Sequence, residues 1–350
     1  MKKKIIIILI IALIVSGGVI GYDLLKISVN EANKIALEND QYLEIDNLNL
    51  QAAAIDYDNA LRNAKISSKY SYSGEMTSYY TPFMQETNLN LTKMSNEKNM
   101  KLIEKQVLSL SYDYYINKGN YESSLKSYQK AVDDYNSAKK DSETTALEIM
   151  QYEYSMKALK INSDIQEATF SQTKNELFKL LNDEQVADVT AIVIKNPYDI
   201  DFNQVWTTAT DYNSDLYSKK RNKEAQEILF SIVKKYYKED TSNYISALAN
   251  KEKAKLDYDS QIESLKVKII NDIENLKTKY DYVELEMLNN SIKKNDYDIA
   301  KSQYDNGFIS LDSLDSKKSA LDASDTQLIQ KKRTYILALK DFEIYTGFTY

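Results

Sequence analysis

The sequence predicts a mainly α fold, built of elongated antiparallel coiled-coil helices in two tandem repeats and interrupted by one short β-hairpin region. Three observations predict it. The 350 residues hold only seven glycines and two prolines, and three of those glycines fall within the first 21 positions, so few residues remain to build the turns of a compact multilayer domain. Apolar and aromatic side chains recur every seven positions over long stretches. The chain also repeats itself, at a direct offset of about 165 to 173 residues.

The chain opens MKKKIIIILIIALIVSGGVIGYD, three lysines followed by sixteen uncharged residues, Ile5 to Ile20. Residues 1–21 are an export signal. They read either as a cleaved signal peptide, with a small-residue site at Val19-Ile20-Gly21, or as a retained membrane anchor. The apolar run falls between a signal core of up to ~15 residues and the ~18 or more of a spanning helix. In both cases the lysines stay cytoplasmic and the chain after Tyr22 is delivered outside the inner membrane.

Breakers divide the rest into six helical segments, at about 28–66, 92–140, 143–182, 201–240, 243–305 and 308–346. At ~1.5 Å per residue the fifth is ~90 Å long, too long to bury its seam within a small globule. It must lie beside equally long neighbours. In the second segment Val107, Tyr114, Tyr121, Tyr128 and Tyr135 fall seven apart, flanked by Leu110, Asn117, Ser124, Ala131 and Ala138. The sixth segment repeats the spacing as Leu314, Leu321, Leu328, Tyr335 and Phe342. A sustained period of seven makes helices wrap left-handed around partners, and the small residues of the first seam call for close packing. The tyrosine rows therefore read as seam packing, not as ligand platforms.

Residues 66–92 alternate polar and aromatic side chains around Gly74 and Pro82, which reads as the β-hairpin. Within the internal repeat, SVNEANKIALENDQYL from Ser28 aligns with DFNQVWTTATDYNSDL from Asp201. AKKDSETTALEIMQYEYSMKAL from Ala138 aligns with AKSQYDNGFISLDSLDSKKSAL from Ala300. Asn196-Pro197 sits at the join, where proline disfavours helix at the residue before it, so repeat 1 covers 22–195 and repeat 2 covers 196–350. The second repeat has only a short polar turn, YYKEDTSNYIS from Tyr236, in place of the hairpin.

Composition narrows the function classes. Lys and Arg total 45 against 52 Asp and Glu, a net charge of −7 with the bases scattered, which argues against a nucleic-acid partner. Histidine and cysteine are both absent, which removes thiolate and imidazole metal sites, Cys and Ser/His nucleophile systems and the usual proton shuttle. No enzyme and no cofactor is expected. A carboxylate-pair glycosidase would need two acids facing a cleft, and no segment suggests one.

The order of the pieces resembles the TolC-like outer-membrane efflux proteins: an S-V-N-E-A opening helix, a β excursion, long helices, a T-x-L-E-I turn leading to L-F-K-L-L-N, and then a second pass ending in Y-x-x-G-F-I-S-L-D-x-L-D and D-F-E-I-Y-T-G. The similarity covers essentially the whole exported region. It implies a homotrimer whose helices form a hollow α-barrel tunnel, the exit duct of an efflux or type I secretion system, working with a periplasmic adaptor (membrane fusion) protein and an inner-membrane pump. It further implies a shared outer-membrane barrel with two strands from each repeat, of which this sequence offers at most one hairpin.

The same resemblance implies two adaptor-docking turns at the tunnel tip, Ser142, Thr144, Thr145 and Leu147 in repeat 1 and Gly307, Phe308, Ile309, Ser310 and Leu311 in repeat 2. It implies a constriction or gate made of Glu148, Tyr304, Asp312 and Asp315, the two aspartates contributing to a pore ring that would favour cations. Two positions depart from the family pattern. Ser142 stands where it usually has glycine, and Ile309 where it has the latch arginine. Taken without the resemblance, Gly307 is an ordinary helix-to-helix turn and Asp312 and Asp315 a solvated face. The rival to the duct is a membrane-anchored coiled-coil stalk or interaction protein of the envelope, with no membrane barrel.

Overall fold

The computed structural model describes residues 24–350; the export segment expected at 1–21 lies outside the described residues. The architecture is a long bundle with a thick waist. Helices α1 (Val29–Asn39) and α2 (Gln41–Ile66) climb from the waist to an upper turn. From there α3 (Tyr72–Glu75), a single π turn (Met76–Tyr80) and α4 (Thr81–Lys140) run without a break to a lower turn. Helix α5 (Ala146–Leu181) returns to the waist. Repeat 2 follows the same path with α6 (Phe202–Tyr212), α7 (Ser214–Tyr236), α8 (Ser242–Asp305) and α9 (Leu311–Thr346). At ~1.5 Å per residue α4 and α8 are each ~90 to 96 Å long.

The duplication is written most plainly in the helix caps. Ser28, Asp40, Ser71 and Thr145 cap α1, α2, α3 and α5, each side chain accepting an N–H from the first turn. Asp201, Asn213, Thr241 and Ser310 do the same for α6, α7, α8 and α9. These short polar side chains satisfy N–H groups that have no partner inside the helix, so each fixes where a helix starts. Both return helices also stop alike, α5 at Asn182 and α9 at Gly347, each with a left-handed backbone (φ 55° and 69°).

The β-hairpin expected over 66–92 does not form. Ile66 ends α2, and from Tyr72 onward the segment is helical. Two local features carry the helix through the breakers. Ser71 accepts the Gly74 N–H and starts the first turn. The π turn, closed by Thr81 N donating to Met76 O, lies just before Pro82 and gives its ring room against the carbonyl one turn back. Tertiary packing then outweighs the strand propensity of the tyrosines, because Tyr72 packs edge-on against Tyr236 and Tyr237 of repeat 2. The upper ends of both repeats are thus the same kind of helix–turn–helix.

Among the described residues the strands are β1 (Leu25–Ile27) and β2 (Gln185–Ala187), a parallel pair with Leu25 opposite Gln185. They sit at the waist. Leu24 N donates to Tyr114 Oη at 3.3 Å and Ala187 N to Ser111 Oγ at 3.3 Å, so both are fixed to one stretch of α4. The bulky core gathers there too, in two clusters. One joins Ile103, Val107, Tyr114, Leu177 and Val186; the other joins Leu108, Tyr112, Ile269, Leu276, Tyr335 and Phe342.

Away from the waist small residues make up much of the buried seam, with Ile232 and Val233 as larger exceptions near the upper turn. Ser124, Ala131 and Ala138 form the lower seam of α4, and Ala53, Ala60, Ala225 and Ala254 line the upper bundle. Small side chains let the helices approach closely, while Tyr121, Tyr128 and Tyr135 flank the lower seam half-buried.

The run from α3 through α4 is tied antiparallel to repeat 2 by a ladder of ion pairs from Glu75 to Lys130. Above the waist Glu75 pairs with Lys235 (2.7 Å) and Glu86 with Arg221 (2.6 Å). Below it Lys105 pairs with Asp341 (2.6 Å), Asp113 with Arg333 (2.9 Å), Lys126 with Asp322 (2.9 Å) and Lys130 with Asp312 (3.8 Å). Each exposed rung contributes only about 0–1 kcal/mol, but together they specify one register.

Candidate docking and gating tip

The lower end is made of the two turns that join α4 to α5 and α8 to α9, and they are built by different chemistry. In the first, Asp141 leaves the helix with an extended backbone and its carboxylate accepts the Glu143 N–H at 3.0 Å. Thr145 then starts α5 in a reciprocal capping box: its hydroxyl accepts the Glu148 N–H (3.3 Å), and the Glu148 carboxylate accepts the Thr145 N–H (2.8 Å) and hydroxyl (2.7 Å). No residue of this turn is left-handed, so Ser142 needs no glycine. Thr144 closes the turn by donating to Asp141 O.

In the second turn α8 ends in a six-to-one, five-to-two closure. Phe308 N donates to Gln303 O at 2.8 Å and Gly307 N to Tyr304 O at 2.9 Å. That pattern needs a left-handed residue, and Gly307 supplies it with φ 75°. Ser310 caps α9 by accepting the Ser313 N–H. The residue after the glycine usually packs back on its helix, yet Phe308 is 80% exposed. Leu147 (66%) and Leu311 (55%) are open too, while Ile309 is half-buried. The tip therefore presents apolar side chains from both repeats.

The residues expected at the gate all lie at this end, and among the described residues no hydrogen bond or ion pair joins any two of them. Glu148 is engaged by Thr145, whose N–H and hydroxyl hold its carboxyl below the usual carboxylate range. No hydrogen bond joins it to Tyr304 among the described residues. Tyr304 lies exposed in the last turn of α8, where its carbonyl takes part in the Gly307 closure. Asp312, in the first turn of α9 where the helix dipole favours an acid, lies 3.8 Å from Lys130 of α4. Asp315 is exposed, with no ion pair among the described residues.

No protein-family model and no curated protein matches the chain. Solved structures do. The CmeC outer membrane channel of Campylobacter jejuni superposes with a TM-score of 0.65 at 11% identity, covering 91% of this chain and 85% of that one. The outer membrane protein VceC of Vibrio cholerae gives 0.60 at 12% identity over 92% and 97%. The open-state MtrE outer membrane channel of Neisseria gonorrhoeae gives 0.59 at 13% identity over 91% and 88%. The chain has the fold of the TolC-like outer-membrane channels.

Within this TolC-like fold the residues expected at the tip do lie on the two lower turns and the helix ends beside them. Sequence reasoning missed Lys130, whose pairing with Asp312 depends on the register of α4 against α9 and has no local signature. It also missed Asp141 as the residue that makes the first turn. An aspartate directly before Ser-Glu at a helix end carries that signal, because its side chain can close a turn on the backbone two residues on.

Proposed function

We propose that the chain is the protomer of a homotrimeric exit duct that passes substrates of an efflux or type I secretion system across the cell envelope. The observation that carries this reading is a channel-like fold covering more than nine-tenths of the chain. A closed ring of three copies would cover the apolar side chains that single-chain packing leaves open along the long helices, among them Ile45, Leu48, Ile55, Leu285 and Leu288.

The lower turns would dock a periplasmic adaptor and, through it, an inner-membrane pump, with Leu147, Phe308 and Leu311 as apolar contacts around the Gly307 turn. Glu148, Tyr304, Asp312 and Asp315 would line the throat. Placement in the outer membrane and periplasm follows from the same reading. The outcome that tests it is export: a Phe308→Ser, Leu147→Ser protein that still folds and localises should fail to support transport and to co-purify an adaptor. Normal transport in that variant would remove the docking assignment.

One observation favours a second reading, an envelope stalk that lacks its own membrane barrel. The upper turns hold no strand among the described residues. A heat-modifiable trimer in outer-membrane fractions supports the duct; recovery only from the inner membrane supports the stalk.

A further inference from the structure

At the upper end α2 turns into α3 through residues 67–71 and α7 into α8 through 237–241. The paths match: Ser67 N donates to Asn63 O at 3.1 Å and Tyr237 N to Val233 O at 3.0 Å. The two turns are clamped together at their base. Tyr72 sits edge-on to Tyr236 and Tyr237, at 6.0 and 5.6 Å between ring centres. Glu75, 6% exposed, accepts from Lys235 Nζ at 2.7 Å and Tyr236 Oη at 3.0 Å. The result is a braced platform whose buried charge is already compensated.

Outward, this platform carries two kinds of side chain. Ile66 is 84% exposed and Tyr70 95%. Around them stand Arg62, Lys65, Lys69, Lys234 and Lys238, all exposed, against Glu239 and Asp240. Residues 62–80 and 234–245 together hold six bases and three acids, although the chain as a whole carries a charge of −7. Among the described residues Arg62, Lys65 and Lys234 have no ion-pair partner. Exposed apolar side chains set among exposed bases on these turns suit a fluid boundary with phosphate groups above an apolar layer.

We propose that the upper platform rests on an anionic membrane surface, with Ile66 and Tyr70 entering the boundary between headgroups and acyl chains and Arg62, Lys65 and Lys69 meeting lipid phosphates. Tyrosine suits that boundary because its ring is apolar and its hydroxyl polar. Clustered Lys and Arg are drawn to anionic headgroups, and their long stems can reach along an apolar layer to the phosphates. The proposal rests on the duct reading only for which membrane this end faces.

The chain contains no cysteine, so a single introduced one can be labelled at a chosen end. The full chain carrying Ser68→Cys with an environment-sensitive fluorophore is mixed with vesicles of phosphatidylcholine alone or with about one third phosphatidylglycerol. The expected result is a blue shift and a severalfold rise in emission with the anionic vesicles only. A label at Ser142→Cys on the lower tip should show neither. Adding Lys65→Glu and Lys69→Glu, or Ile66→Ser and Tyr70→Ser, should remove the response while circular dichroism shows the helices intact. No response at position 68, an equal response at 142, or one that survives charge reversal would overturn the proposal. Export assays on the lower-tip variants are read separately, so failure of either idea is visible alone.

Discussion

Lys130 Nζ lies 3.8 Å from Asp312 Oδ1, the last rung of the ion-pair ladder between α4 and α9 and the one nearest the lower tip. Asp315, one turn further along α9, forms no ion pair among the described residues. The two aspartates proposed for the throat are therefore unequal. In single-channel recordings Asp315→Asn should reduce cation preference more than Asp312→Asn, and Lys130→Gln should increase it by freeing Asp312. An unchanged reversal potential in all three would mean that the pair is a solvated face.

The two left-handed glycines that close α8 and α9 should respond differently to substitution. Gly307 (φ 75°) has open space where a Cβ would stand, so Gly307→Ala loses only the backbone preference, about 1–2 kcal/mol. At Gly347 (φ 69°) the same atom would lie 2.3 Å from the Tyr212 ring, which adds an overpacking cost and brings the loss to about 2–5 kcal/mol. Urea denaturation should rank them in that order. Equal losses would show that the Tyr212 contact yields freely.

The contrast between these sites reflects what was legible in the sequence. The heptad rows foretold the seam at Ser124, Ala131 and Ala138, because a period of seven is a property of the chain itself. The turn at Gly307 was readable because the heptad spacing breaks there and resumes at Leu314, whereas Gly119 lies inside the unbroken α4. The segment after Ile66 was misread because its strand-like tyrosines are satisfied by a partner about 165 residues away, Tyr72 against Tyr236 and Tyr237. Glu148 was assigned to a gate by resemblance, while its local T-x-x-E spacing with Thr145 already encoded the capping box that engages it. The Lys130–Asp312 rung needed the register of two helices from different repeats.

Glu75 ties the upper turns together, and its hydrogen bond from Lys235 holds its carboxyl below the ordinary range against the opposing effect of burial. A carboxylate depressed in the folded state stabilises fully above its unfolded value, about 4.3, and that contribution is lost as pH falls through the folded value. Melting temperatures measured from pH 7 to pH 3 should therefore fall less steeply for Glu75→Gln than for the parent chain, the difference opening only below about pH 5. Parallel acid limbs would show that the pair with Lys235 does not contribute to folding.

Leu24 is held at the waist, and this bears on whether residues 1–21 stay attached. Leu24 is bonded to Tyr114, which stands roughly 26 residues before the end of α4, so the lower tip lies ~39 Å beyond it. From Ile20 to Leu24 the chain can span at most ~14 Å. A retained anchor at Ile5–Ile20 would thus hold the membrane near the waist, and the lower bundle could not also point its turns at that membrane across a gap. A duct with its tips toward the inner membrane requires the segment to be removed. N-terminal sequencing of the mature protein should begin after residue 21. An intact Met1 in the inner membrane would defeat the duct reading and leave the anchored stalk.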